Sequence, residues 1–155
     1  MNAKYMREAI RLSLRTMRHN HGGPFGAVVV RQGKIVGRGW NQVTSTNDPT
    51  AHAEMVAIRA ACRRLKTFQL NDCALYTSCE PCPMCLAAIY WARFAKVYYG
   101  NTRKDAQRID FDDDLIYHEV ATPIGKRKIP MKQLLRPEAL AVFKEWSGKL
   151  DKVRY

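Results

Sequence analysis

The stretch TSCEPCPMCLAAIYW, residues 77–91, decides how the rest of the chain is read. It begins as the end of a strand and becomes an apolar helix opened by Pro83. Proline suits that position, because its fixed φ matches the helix and its missing N–H is not needed there. Between strand and helix stand Cys79, Cys82 and Cys85, at steps of three. Cys82 and Cys85 bracket the first helical turn, where unpaired N–H groups and the positive dipole end favour thiolate over thiol. A lone Cys-x-x-Cys is ambiguous, since it serves metal sites and thioredoxin-like redox pairs alike. A structural zinc closes on four ligands, whereas a catalytic zinc keeps three and leaves one position open.

Outward from this junction the pattern alternates. It predicts a helix over residues 6–19, broken by Gly22-Gly23-Pro24. A buried strand over 27–31, a tight turn at Gln32-Gly33 and a strand over 34–40 make a hairpin. Asn47-Asp48-Pro49 reads as a turn that opens a helix, with Pro49 in its first position and its end near Lys66. A strand over 74–77, the helix over 83–92 and a strand over 96–100 follow. Residues 101–123 are mixed and contain the acidic run Asp110-Phe111-Asp112-Asp113-Asp114, and a last helix spans 137–148. Short links in the order αββαβαβα predict an α/β fold, a three-layer α/β/α sandwich with a mixed central sheet. At 155 residues the chain has the length of one domain, taken as 1–155.

Composition narrows the classes. Apolar residues make up 46 % and charged residues 26 %, which is globular and not disordered. The longest apolar runs, 27–30 and 86–92, fall far short of the ~20 residues that span a bilayer. With no apolar signal-peptide core at the N-terminus, the expectation is a cytoplasmic protein, off the membrane, whose five cysteines are reduced.

The net charge of +12 makes a polyanionic partner worth testing. Lys4, Arg7, Arg11, Arg15 and Arg18 form one stripe of the first helix, and Met6, Ile10, Ser13, Leu14 and Met17 an opposing, mostly apolar face. Arg59, Arg63, Arg64 and Lys66 suit the negative end of the next helix, and residues 126–128 are a third basic cluster. No aromatic residues interleave these stripes, as a single-strand nucleic-acid platform requires. Charge alone therefore reads as a solvated basic surface, and nucleic acid is not the favoured partner.

The partner that raises the Cys-x-x-Cys is Ala51-His52-Ala53-Glu54, thirty residues upstream. Residues two apart do not share a helix face, so His52 and Glu54 converge only on something near the helix end. Two such junctions, each offering ligands at a helix N-terminus, would meet at the C-terminal ends of their strands, where open α/β sheets place their sites. The candidate site is then His52, Cys82 and Cys85 around one zinc, with Glu54 free to move protons. Cys79 is the rival fourth ligand. A closed structural site gives no reason for Glu54 beside His52, so Cys79 reads as a small buried hydrophobe, as do Cys62 and Cys73. His19, His21 and His118 lack metal-ligand spacing.

His-x-Glu with Pro-Cys-x-x-Cys matches the known signature of zinc deaminases. At these residues the chain resembles the cytidine and deoxycytidylate deaminase superfamily, and more narrowly the small bacterial guanine deaminases. The resemblance runs over nearly the whole length. It rests on Gly22-Gly23-Pro24-Phe25-Gly26-Ala27, Asn41, Thr46-Asn47-Asp48-Pro49-Thr50-Ala51-His52-Ala53-Glu54, and Tyr76-Thr77-Ser78-Cys79-Glu80-Pro81-Cys82-Pro83-Met84-Cys85. It continues in Ile89-Tyr90-Trp91-Ala92-Arg93, Phe111-Asp112-Asp113 and the terminal Tyr155. The zinc motifs are superfamily-wide, while the last three features point to the guanine branch; the basic first helix departs from it.

The resemblance implies a cytidine deaminase-like fold and a reaction in which guanine and water give xanthine and ammonia. It implies that Phe25 packs on the purine face, that Asn41 and a backbone group near Ala53 hydrogen-bond the ring, and that Asp113 pairs with its N–H edge. Each has a plainer reading: Phe25 as core, Asn41 as a turn cap, the aspartates as a solvated loop. Trp91 reads as core that also lines the pocket. The resemblance further implies a homodimer, with the apolar helix 86–92 as one surface. The tail, 149–155, would cross to the partner, where Tyr155 closes the site. Two other classes stand beside a free-base purine deaminase. A tRNA adenosine deaminase is favoured by the charge, a non-catalytic zinc module is opposed by Glu54, and a deaminase of a related nucleoside or aminated ring is a further alternative.

Overall fold

The computed structural model describes residues 2–154. Helix α1 (Ala3–Arg18) starts where the Asn2 side chain accepts a hydrogen bond from the Lys4 N–H at 3.0 Å, satisfying a donor that a helix start leaves unpaired. Strands β1 (Gly26–Arg31) and β2 (Lys34–Trp40) form the expected hairpin. After the short helix α2 (Val43–Thr46) come α3 (Ala53–Leu65), β3 (Cys73–Cys79), α4 (Pro83–Trp91) and β4 (Lys96–Asn101). Helices α5 (Arg103–Gln107), α6 (Asp114–Ala121) and α7 (Arg136–Gly148) complete the order.

The sheet runs β2-β1-β3-β4. β1 is antiparallel to β2 and β3, and β3 is parallel to β4, so the sheet is mixed as the sequence predicts. Alternation along β1 separates two cores. Val28 and Val30 pack with Tyr5 and Leu12 of α1. Ala27 and Val29 pack on the other face with Ala53, Ala57 and Ala61 of α3 and Ile89 of α4. Helices on both faces make the expected α/β/α layering.

Three local expectations are corrected. The face of α1 that packs on the sheet is Tyr5, Ala9, Leu12, Ser13 and Thr16, while Ile10, Leu14 and Met17 are exposed. The reason is close approach: a Cβ on Gly26 would lie 2.3 Å from the Ala9 carbonyl oxygen and 2.7 Å from the Ser13 nitrogen. A seam that tight selects the small-residue face over the most apolar one. Pro49 does not open α3. Asp48 Oδ1 instead accepts from the Thr50 N–H and hydroxyl at 2.8 and 2.7 Å, and the helix begins at Ala53. Trp91, expected in the core, is 67 % exposed.

The described residues group into two compact units, one ending at Asp113 and the other starting at Asp114. The second holds α6 and α7, and none of its described residues is buried. Leu134, Val142, Phe143 and Leu150 are among its exposed apolar side chains.

Candidate active site

The register places the site. Gly26 at the start of β1 pairs with Trp40 at the end of β2, Ala27 with Thr77 near the end of β3, and Cys79 with Asn101 at the end of β4. One sheet edge therefore gathers Phe25, Asn41 and the turn from Cys79 to Cys82. α3 is brought over that edge by two glycines of β2. A Cβ on Gly39 would lie 2.1 Å from the Ala53 carbonyl oxygen, and one on Gly37 would lie 2.4 Å from that of Ala57.

His52 is the N-cap of α3, extended at φ −66° and ψ 157°, so its ring leaves the helix end while Glu54 sits in the first turn. Cys82 is likewise the N-cap of α4, and Cys85 lies in its first turn. His52 Nδ1 is 3.5 Å from Cys82 Sγ and 3.6 Å from Cys85 Sγ. Their ligand atoms lie within 4.8 Å of one another. Zinc bonds of about 2.0–2.3 Å in a tetrahedron put ligand atoms roughly 3.5 Å apart, so this donor set and spacing fit zinc. Among the described residues Cys79 is not in the group; its thiol points to the Thr102 carbonyl oxygen at 3.7 Å, and burial pushes it up to about 11.

The thiols divide the charge. A hydrogen bond from Cys85, against the cost of burial, and a further one from His52 hold Cys82 down at about 4. Cys85 is raised in turn, first by that shared hydrogen bond and then by burial. His52 is raised, chiefly by its hydrogen bond to Cys82.

Glu54 is buried, and burial raises its pKa. Its Oε1 accepts from Thr77 Oγ1 at 3.0 Å, and the Cys85 thiol meets its Oε2 at 3.5 Å. Thr77 is a partner that sequence reasoning missed. The signal was present: Leu75, Thr77 and Cys79 share one face of β3 by period two, and a threonine within such a buried row needs a polar partner.

Asn41 is buried, and its Oδ1 accepts from the N–H groups of Gly23 at 3.3 Å and Val43 at 3.2 Å. It caps a turn, as its plainer reading held, and among the described residues no acceptor meets its Nδ2. Ala53 is the first residue of α3, where a helix leaves N–H groups unpaired. Phe25 is partly buried against the core, with Phe111 edge-on to it. Asp113 is raised first by burial and then by the Cys82 thiolate, and its own charge raises His52. Trp91 ends α4, about 12 Å along the axis from Pro83, and its side chain is exposed. Tyr155 lies outside the described residues.

Residues 1–101 match the family described as the cytidine and deoxycytidylate deaminase zinc-binding region. The chain belongs to this family. Within it, the chain is 48 % identical over 151 residues to the guanine deaminase of Bacillus subtilis (strain 168), covering 97 % of each. It is 36 % identical over 121 residues to a tRNA-specific adenosine deaminase of Buchnera aphidicola subsp. Schizaphis graminum, covering 77 % of each. The crystal structure of the guanine deaminase from Bacillus subtilis superposes with a TM-score of 0.97, over 100 % of this chain and 99 % of that one.

Proposed function

We propose that this chain is a zinc-dependent aminohydrolase acting on a free purine base, with guanine and water giving xanthine and ammonia. The observation that carries this reading is the convergence of His52, Cys82 and Cys85 beside buried Glu54, in a chain similar over nearly its whole length to a guanine deaminase.

His52 Nδ1 and the two Sγ atoms would hold one zinc per chain. Bound there, zinc supplies the Lewis acidity that makes water a nucleophile at neutral pH. Glu54 takes one proton from the water and passes it to the ring nitrogen beside C2 as the C2–O bond forms. It then passes the second to the 2-amino group, which leaves as ammonia as the C2–N bond breaks. Phe25 packs against the purine face. The Asn41 Nδ2 and the Ala53 N–H donate to ring acceptors, and the Asp113 carboxylate accepts from the N–H edge.

The enzyme acts as a homodimer. Leu86, Tyr90 and Trp91 on α4 are exposed, an apolar patch of the kind that a second copy covers. Trp91 and Tyr155 would meet the purine in the partner's site, the tail crossing over to it. Five free cysteines support a reducing cytoplasm, and among the described residues no helix is long and apolar enough to cross a membrane.

A second reading, deamination of adenosine in tRNA by the same chemistry, is favoured by the net charge of +12. Ammonia release from guanine, guanosine, cytosine, cytidine and tRNA, each offered separately, decides between them. Release from guanine alone supports the first reading, and release from tRNA alone replaces it with the second.

A further inference from the structure

Phe111 is 43 % exposed, too open to be a core residue, yet the chain is bent to deliver it. Its segment is anchored at the end of β3. The Arg103 N–H donates to Glu80 Oε2 at 2.9 Å, and a capping box between Thr102 and Asp105 starts α5. After α5, Asp110 takes a left-handed conformation at φ +66°, and the Phe111 N–H donates to the Ala106 carbonyl at 3.1 Å. That reversal sets the Phe111 ring edge-on to Phe25, with centroids 4.8 Å apart and planes at 86°.

The same ring lies over Gly23. A Cβ there would sit 3.1 and 3.3 Å from Phe111 ring atoms and 3.3 Å from Phe25. The Gly23 N–H donates to Asn41 Oδ1, and Asp113 follows Phe111 by two residues. One aromatic ring thus touches or adjoins the supports of Phe25, Asn41 and Asp113.

We propose that Phe111 is a positioning residue of the purine site, an edge-on brace that holds the Phe25 ring in place to receive the base. The proposal rests on the reading that the site takes a free purine base. Edge-to-face contact restricts ring rotation in a way that an aliphatic side chain does not, and an aromatic face already in place lowers the cost of ordering on binding. Such a brace acts on ground-state binding more than on the chemical step, so its loss appears in KM.

The test uses full-length Phe111→Ala, Phe111→Leu, Phe111→Tyr, Gly23→Ala and the Gly23→Ala/Phe111→Ala double variant. Phe111→Ala should raise KM for guanine about tenfold while kcat falls less than about threefold, with zinc content unchanged. Phe111→Tyr, which keeps the ring, should stay within about threefold of the parent, and Phe111→Leu should not. Gly23→Ala should raise KM by about threefold in the parent and by less once Phe111 is gone, where only the 3.3 Å approach to Phe25 remains. A lowered melting temperature with unchanged KM, or recovery by Phe111→Leu, overturns the brace. Calorimetric binding of 8-azaguanine to the same proteins separates this failure from failure of the functional reading. Equal Kd for parent and Phe111→Ala overturns the brace whether or not guanine is turned over. A parent that releases no ammonia from guanine overturns only the purine activity.

Discussion

Thr77 Oγ1 donates a hydrogen bond to Glu54 Oε1 at 3.0 Å, joining the middle layer of the fold to the residue proposed as the proton carrier. Both residues are buried, at 1 % and 6 % exposure. A buried carboxylate held at one oxygen can pivot only within the reach of that bond. Thr77→Val keeps the shape and removes the donor, and should lower kcat by about tenfold, or ~1.4 kcal/mol, with zinc retained. Thr77→Ser should keep most of the activity. Steady-state kinetics with zinc analysis checks both, and an unaffected valine variant would show that Glu54 is oriented by other contacts.

The purified protein should hold about one zinc per chain, bound by one nitrogen and two sulfurs. Glu54→Gln should keep that zinc and the fold, because the amide carbonyl can still accept from Thr77. It should lose turnover by roughly a thousandfold or more, since in the proposed mechanism both proton transfers pass through this one carboxylate. X-ray absorption showing three or four sulfurs would remove the open site. Near-normal activity in the glutamine variant would move the proton carrier elsewhere.

The position of α3 depends on a missing side chain. A methyl on Gly39 would meet the Ala53 carbonyl oxygen at 2.1 Å and the Ala57 nitrogen at 2.5 Å, both backbone atoms that cannot rotate away. Gly39→Ala should therefore destabilise the fold by about 3 kcal/mol. It should also weaken zinc retention, because lifting the first turn of α3 moves His52 away from the thiols. Urea unfolding followed with and without a chelator measures both. A stable variant with full zinc would show that the hairpin yields instead of the helix.

The grouping of His52, Cys82 and Cys85 was legible because its signals are local. His52 with Glu54, and Cys82 with Cys85, each lie within one helical turn, and a helix start imposes the geometry. The mixed sheet was legible from strand spacing. What was not legible depends on two chain segments meeting. The packed face of α1 was misread because hydrophobic pattern ranks Ile10 and Leu14 above Ala9, while Gly26 selects for smallness. Thr77 meets Glu54 across twenty-three residues, and Phe111 meets Phe25 across far more. Pro49 was read as a helix start because Pro is common there, but the Asp48 side chain closes its own turn first.

Glu8 links α1 to β2 through charge. The hydrogen bond from Arg11, outweighing the cost of partial burial, and then that from Arg38 hold its carboxyl down at about 2 from an ordinary 4.5. A depressed folded-state pKa contributes stability above the unfolded value and loses it as pH falls through the folded one. The window here runs from about pH 4.5 down to about 2. Both arginine side chains are about half exposed, so solvent screening reduces the contribution to about 1 kcal/mol. Glu8→Gln should thus cost about 1 kcal/mol at pH 7 and nothing near pH 2. A difference in unfolding free energy that stays constant from pH 7 to pH 2 would show that Glu8 acts by packing, not by charge.

The end of the chain gives the sharpest test of the proposed dimer. After Asp114, none of the described residues is buried, yet Leu134, Val142, Phe143 and Leu150 lie open to water. A frayed terminus is ordinarily polar and without a role. In the proposed dimer, exchange of this segment between copies, a low-cost route to association, would cover those side chains. Static light scattering should therefore give twice the chain mass at micromolar concentration, and a monomeric mass would end the dimer reading. If the tail also closes the partner's site, it excludes water around the bound base and presents Tyr155 to it. Deleting 153–155 removes that closure and leaves α7 in place. Zinc content and thermal midpoint should then stay nearly unchanged while guanine deamination drops at least about tenfold, or ~1.4 kcal/mol of transition-state stabilisation. A truncated enzyme as fast as the full chain would remove Tyr155 from the site, while a truncated enzyme that also fell to monomer would show that the last three residues hold the dimer together.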